Sequence, residues 1–303
     1  MRSTTTAPAI ARLAGSGVGA SIFASFAFAA IFVLARELDD FGSTPLYAWR
    51  VVISIVLIAA VFTLARQWPL VRAVVERLRA EPLLVPVLIA NATFFGFQLW
   101  LFGWAPQAGR ALEVALGYLL MPLVLVMIGV VMHRERVSRL RAGALGAAAV
   151  GVAAAVFLAG GIGWPTTAVF VGYPIYFASR RAAGLDSMGV IPLEFAVMTP
   201  FALVVLAVDR DATAPLADAP HALGIVLLGV LSAGAFLAYL RAGQVLPFSI
   251  FGLLAYLEPI LLVGVATLIL GETFTDDELL VYGPILVGLA LLAVDVRRTS
   301  AND

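Results

Sequence analysis

Apolar runs of about twenty residues follow one another along this chain with only short polar connections between them, and few folds can hold such a sequence. An apolar run of that length crosses the hydrocarbon of a bilayer as a helix, because a helix satisfies its own backbone amides where no water is at hand. The runs cover residues 13–34, 45–64, 82–102, 111–132, 141–158, 166–177, 190–208, 223–240, 248–270 and 279–294. The first is too long for a signal-peptide core and has no small-residue cleavage site with a soluble domain behind it, so it reads as a retained span. The expectation is an all-α, multi-pass membrane protein of about ten transmembrane helices, with no length left for a soluble catalytic module.

Hydrophobic residues make up 62 % of the chain and charged ones 13 %, against about half and about a quarter in soluble domains. Cysteine is absent, and both histidines, His133 and His221, fall in connections. The usual zinc, haem and iron–sulfur ligand sets are therefore missing, and no cofactor is expected. No glycine-rich stretch leads into Lys and Ser or Thr as a phosphate-binding loop does, which argues against ATP-driven transport by this chain alone. An intramembrane enzyme, such as a lipid-modifying transferase, would need His, Asp or Ser clustered at one depth, and the runs hold no such cluster; the chain reads as a non-enzyme. A net charge of zero gives nucleic acid no handle. The expected partners are a small-molecule substrate and the lipid bilayer, with the chain working as a monomer or a dimer.

Every basic residue is arginine, and the arginines alternate between connections. One side collects Arg2 and Arg12, then Arg66, Arg72, Arg77 and Arg79, then Arg134, Arg136, Arg139 and Arg141, then Arg180 and Arg181, then Arg241, and finally Arg297 and Arg298. Only Arg36, Arg110 and Arg210 lie opposite. Basic residues near span ends stay in the cytoplasm, so both termini are expected there, and the expected location is a bacterial inner membrane.

A shift of about 137 residues lays Gln107 on Gln244, Pro122 on Pro259, Glu135 on Glu272 and Gly151 on Gly288 without a gap. Five spans separate the copies, an odd number, so the halves 1–160 and 161–303 are expected to lie in the membrane with opposite orientation. Such inverted five-helix repeats allow outward-open and inward-open states to interconvert around a central cavity. Pro122 and Pro259 each remove a backbone hydrogen bond inside a run; they are candidate gating positions, with a packing kink as the alternative.

Ionisable groups inside a bilayer cost from about 3 to over 10 kcal/mol, and so tend to face a cavity or a partner. Arg50, Glu113, Glu194 and Glu258 lie in or at the edge of apolar runs. Arg50 and Glu113 suit the two ends of a zwitterion, or neutralise one another. Glu258 lies deeper and has no cationic neighbour in its own run, which makes it a candidate proton-coupling site; a neutral, hydrogen-bonded glutamic acid beside Pro259 is the alternative.

At these residues the chain resembles the EamA-type drug/metabolite transporters. Tyr256-Leu257-Glu258-Pro259 followed by Leu270-Gly271-Glu272 is similar to the EamA signature, and Arg50 in Trp49-Arg50-Val51-Val52 matches the arginine usual near the start of the second helix. Leu101-Phe102-Gly103-Trp104-Ala105, the stretch from Leu112 to Tyr118, and Pro122-Leu123-Val124 resemble the RarD-like branch. The chain departs from that branch at Gln98-Leu99, where Asn-Trp is usual, at Met121, where asparagine is common, and at Arg134-Glu135-Arg136 in place of Gly-Glu-Arg. These changes fall at expected cavity positions, so the substrate is not carried over.

The resemblance covers nearly the whole chain and implies ten helices with the third, fourth, eighth and ninth around the cavity. On that arrangement Gln98, Trp100, Trp104, Tyr118, Tyr239, Gln244 and Tyr256 join Arg50 and Glu113 as candidate substrate-binding residues, with Tyr173 and Tyr176 as further ones. Trp100 and Trp104, which share a helix face, are alternatively interfacial anchors. The implied activity is secondary transport that exports neutral or aromatic amino acids or similar metabolites, as in the neighbouring YddG-type exporters; multidrug efflux is the alternative.

Overall fold

The structure is a computed structural model and describes residues 7–133, 138–157, 162–209, 212, 217–246, 251 and 254–300. In chain order the helices are α1 (Ala7–Glu37), a 3-10 turn (Asp39–Phe41), α2 (Ser43–Leu64), α3 (Trp68–Ala80), α4 (Leu84–Gln107), α5 (Ala111–His133) and α6 (Arg139–Phe157). They continue with α7 (Trp164–Phe170), α8 (Gly172–Ala182), α9 (Val190–Val208), α10 (Ala219–Val245), α11 (Leu257–Leu268) and α12 (Asp276–Ser300). No strand occurs among the described residues.

Among the described residues, six stretches are long and apolar enough to cross a bilayer: Gly17–Glu37, Ser43–Leu64, Leu84–Gln107, Val190–Val208, Ala219–Val245 and Asp276–Asp295. Only 33–44 % of each is buried inside the molecule, so most of their apolar surface points outward. Phe26, Val56, Phe201, Val204 and Leu223 are among the large side chains exposed there, which suits lipid as the surrounding solvent. Shorter apolar helical stretches, Ala111–Met121, Ala142–Ala155 and Leu257–Leu268, belong to α5, α6 and α11.

Several elements differ from the expectation in ways with a physical cause. The run 166–177 is two helices that meet at Val171. Gly172 opens the second, at a point where a Cβ would run into the ring of Phe94. The connection after α2 holds α3, an amphipathic helix that buries Val71 and Val74 and exposes Arg72, Glu76 and Arg79. Arg77 of α3 donates from Nη1 to the Gly184 carbonyl at 2.7 Å. Pro259, expected within a span, lies in the first turn of α11, where a proline removes no helical hydrogen bond. α5 continues through position 122, but the Pro122 side chain, like all of Arg134, Glu135 and Arg136, lies outside the described residues. His221 sits in the first turn of α10 rather than in a connection, with Nδ1 2.5 Å from Asp218.

α6 and α12 form the most intimate pair. A Cβ on Gly151 would lie 2.7 Å from the Val281 carbonyl, and one on Gly288 would lie 2.8 Å from the Ala144 carbonyl. Small residues allow this approach. The offset that takes Gly151 to Gly288 also takes Ala144 to Val281. α2 packs on α9 and on α10, α5 on α11 and α7, α1 on α10 and α11, and α4 on α8 and α9.

Candidate functional site

Arg50 is the centre from which the site is built. It lies on α2, 3 % exposed, and two neighbouring helices hold its guanidinium. Nε donates to Ser232 Oγ of α10 at 2.9 Å, and Nη1 donates to the Leu99 carbonyl of α4 at 2.8 Å. Ser232 in turn donates to the Leu228 carbonyl, which fixes its oxygen as an acceptor. Arg50 has no ion-pair partner among the described residues, and Nη2 has no acceptor there. The pairing of Arg50 with Glu113 that the sequence left open is not formed.

Tyr118 of α5 and Tyr173 of α8 share a hydroxyl–hydroxyl hydrogen bond of 3.0 Å. Glu258 occupies the first turn of α11, 8 % exposed, with no hydrogen bond or ion pair to a described residue. Arg50 and Glu258 are thus both buried, and neither has an oppositely charged partner within bonding distance among the described residues.

Gln98 closes another flank. It is 1 % exposed, and its Nε2 donates to the Ala168 carbonyl of α7 at 2.7 Å. That bond orients the amide and leaves Oε1 without a partner among the described residues. Along the same helix Phe97, Trp100 and Trp104 form a ladder, with Trp100 stacked on Phe97 (centroids 6.0 Å apart) and on Trp104 (5.6 Å), and Trp164 of α7 next at 5.0 Å. Trp100 also donates to Thr44 Oγ1.

The ladder ends at Glu113. Arg110 holds that carboxylate in a bidentate pair, 2.5 and 2.8 Å, and lies 5.8 and 5.7 Å from the rings of Trp104 and Trp164, within cation–π range. A cavity of about 330 Å³ opens here between Arg110, Glu113, Thr166, Glu278 and Tyr282. Glu113 is therefore apart from Arg50, at the end of α4 and the start of α5.

Glu194 is engaged elsewhere. It is fully buried, receives the Tyr176 hydroxyl at 3.1 and 3.2 Å, and pairs with Arg180 at 3.5 Å. Tyr256 precedes Glu258 and is half-buried, Pro259 is buried, and Gln244 is exposed near the end of α10. Sequence reasoning missed Ser232, Arg110, Thr166, Trp164 and Arg180. A serine within an apolar run and an Arg–Glu pair three residues apart were the available signals.

Residues 160–294 match the EamA-like transporter family. The chain is 37 % identical over 288 residues to the chloramphenicol-sensitive protein RarD of Pseudomonas aeruginosa, covering 95 % of this chain and 96 % of that one. It belongs to the drug/metabolite transporter superfamily, in the RarD-like branch of the EamA family. An uncharacterized transporter of Pasteurella multocida is 32 % identical over 91 % of this chain and 94 % of its own. The protein RarD of Escherichia coli is 25 % identical over 83 % and 86 %. A protein of known crystal structure, 18 % identical, shares the fold with a TM-score of 0.59 over 94 % of this chain and 99 % of that one. This member of the EamA family is a multi-pass membrane transporter.

Proposed function

We propose that this EamA protein is a secondary transporter of a bacterial inner membrane that exports zwitterionic, amphipathic metabolites, neutral and aromatic amino acids foremost, by alternating access. The single observation that carries this reading is that buried Arg50 and buried Glu258 have no oppositely charged partner among the described residues. An uncompensated buried charge is strongly unfavourable, and a zwitterion supplies the missing partner for each: its carboxylate for the guanidinium, its ammonium for Glu258. Tyr118, Tyr239, Phe102 and the face of Trp100 supply apolar wall, as a site for an amphipathic solute requires. The paired packing of α6 with α12, α2 with α9 and α5 with α11, and the reciprocal contacts of Gly151 and Gly288, support two inverted halves.

The name of the Pseudomonas relative favours a second reading, efflux of drug-like amphipaths such as chloramphenicol, for which the Phe97–Trp100–Trp104 ladder is a fitting surface. Uptake into proteoliposomes separates the two. Saturable uptake of radiolabelled neutral or aromatic amino acids, lost in Arg50→Gln, supports the first. Uptake of chloramphenicol without amino acids replaces it with the second, and uptake of neither rejects both substrate classes. A dependence on an imposed proton gradient that disappears in Glu258→Gln assigns Glu258 to coupling; a gradient dependence that survives the change removes it from that role.

A further inference from the structure

The first turn of α5 is capped from far away in the chain. Glu272, in the segment between α11 and α12, accepts the Ala111 N–H on Oε1 at 2.7 Å and the Leu112 N–H on Oε2 at 2.8 Å, across 161 and 160 residues of sequence. Tyr282 of α12 adds to the grip by donating its hydroxyl to the Leu112 carbonyl. Glu272 is itself fixed to α11: its N–H bonds to the Ala266 carbonyl at 2.9 Å, and Gly271, at a φ of +74°, makes the turn that brings it there.

A helix start has amides without intrahelical acceptors, and Ser, Thr, Asp or Asn just before the helix usually satisfies them. Here that place is held by Gly109 and Arg110, and an arginine neither caps nor suits the positive end of a helix. α5 therefore has no cap of its own and depends on a carboxylate from the other half. Two charge-assisted bonds aligned with the helix dipole make a strong contact, and Glu272 is only half-buried, so that water can take the place of the amides on its carboxylate once they part. Those are the properties of a contact made to open and close.

We propose that Glu272 is the latch that holds shut the end of the transporter where α4 meets α5, and that α5 and α11 separate at that end when the latch releases. The arginine distribution assigns this end to the outside. The latch rests on the alternating-access reading above, in which the counterpart helices α5 and α11 part at one end and then at the other.

The absence of native cysteine makes the test direct. Spin labels at Ala108→Cys, in the turn after α4, and Thr273→Cys, next to Glu272, report the separation across the latch by pulsed electron resonance on the full chain in lipid nanodiscs. In the latched protein the short-distance population dominates. Glu272→Gln keeps the shape but loses the charge and one acceptor, and is expected to raise the ratio of long to short distances about tenfold. Tyr282→Phe is expected to move it in the same direction by a smaller factor. Asp277→Asn, an exposed carboxylate of the same region, is expected to leave it unchanged. Distances that stay the same in Glu272→Gln and Tyr282→Phe overturn the latch, as does an equal shift in Asp277→Asn. If Glu272→Gln does not yield a monodisperse protein, Tyr282→Phe decides alone. No substrate enters the measurement, so a shift seen without transport of any solute tested leaves the latch standing and the substrate reading fallen. Transport without a shift does the reverse.

Discussion

Arg50 shows how much one buried side chain can demand of its surroundings. Its guanidinium is held by Ser232 and the Leu99 carbonyl, with no carboxylate partner among the described residues, which in the proposed function is the place an anion takes. Arg50→Lys keeps the charge but loses the planar fork that engages Ser232, Leu99 and a carboxylate at once. Uptake efficiency is expected to fall on the order of 10- to 100-fold, as the loss of one or two charge-assisted hydrogen bonds implies, while the thermal transition in detergent moves little. Tyr118→Phe and Tyr173→Phe each remove the one bond between their hydroxyls, so the double variant is expected to lose only about as much as either single one in a thermal-unfolding cycle, a coupling of about 1 kcal/mol. Additive losses would mean that each hydroxyl has a separate partner. The charges were legible in the sequence because an arginine or a glutamate inside an apolar run stands out. Ser232 was not, because hydroxyl side chains are ordinary in spans, and which of them meets Arg50 depends on the rotation of helices that are apolar all round. Gln244 shows the converse: Gln107, its counterpart in the repeat, donates to the Ala35 carbonyl, whereas Gln244 is exposed, so matched sequence positions need not share a role.

At the scale of the element, hydrophobicity located the helices but was blind to their continuity. An apolar run reads alike whether the backbone passes straight through it or breaks, so the junction at Val171 and the start of α11 at Leu257 went unseen. The local signals were there in Gly172 and Pro174, since a proline has no N–H for the carbonyl four residues before it, here Phe170, and its ring clashes with that carbonyl. α3 was hidden for the opposite reason, because its arginines made it look like a connection. The small residues of α6 are packing residues, and their contacts show how close the approach is. A methyl group on Gly151 or Gly288 meets a carbonyl of the facing helix at 2.7 or 2.8 Å, and backbone is slow to yield. Gly151→Ala and Gly288→Ala are each expected to destabilise the protein by about 1–3 kcal/mol. Gly146→Ala, where a Cβ would meet nothing within 4 Å, is expected to be neutral or to stabilise by up to about 1 kcal/mol through helix propensity. Thermal unfolding of the three variants in one detergent tests the order, and equal behaviour of all three would mean that the α6–α12 contact is not close in the membrane.

Across the whole molecule, two independent features bear on how the chain sits in the bilayer. Arginines crowd into alternate connections, which speaks to insertion, and the α6–α12 contacts repeat under the same offset that relates the two halves of the sequence, which speaks to the folded state. Neither depends on the other, and both fit the proposal that the halves face opposite ways. That arrangement makes a definite statement about four exposed positions. Ala108, after α4, and Thr273, between α11 and α12, belong on the outer side, whereas Ala80, at the end of α3, and Ala182, at the end of α8, belong in the cytoplasm. In the natural cysteine-free background, a membrane-impermeant maleimide added to intact cells is expected to label Ala108→Cys and Thr273→Cys and to reach Ala80→Cys and Ala182→Cys only after permeabilisation. Inversion of all four results would reverse the orientation but keep the relation between the halves. Labelling of Ala108→Cys and Thr273→Cys from opposite sides would break the inverted relation itself, because one residue follows the third run and the other the ninth, and an even number of spans between them returns the chain to the same face.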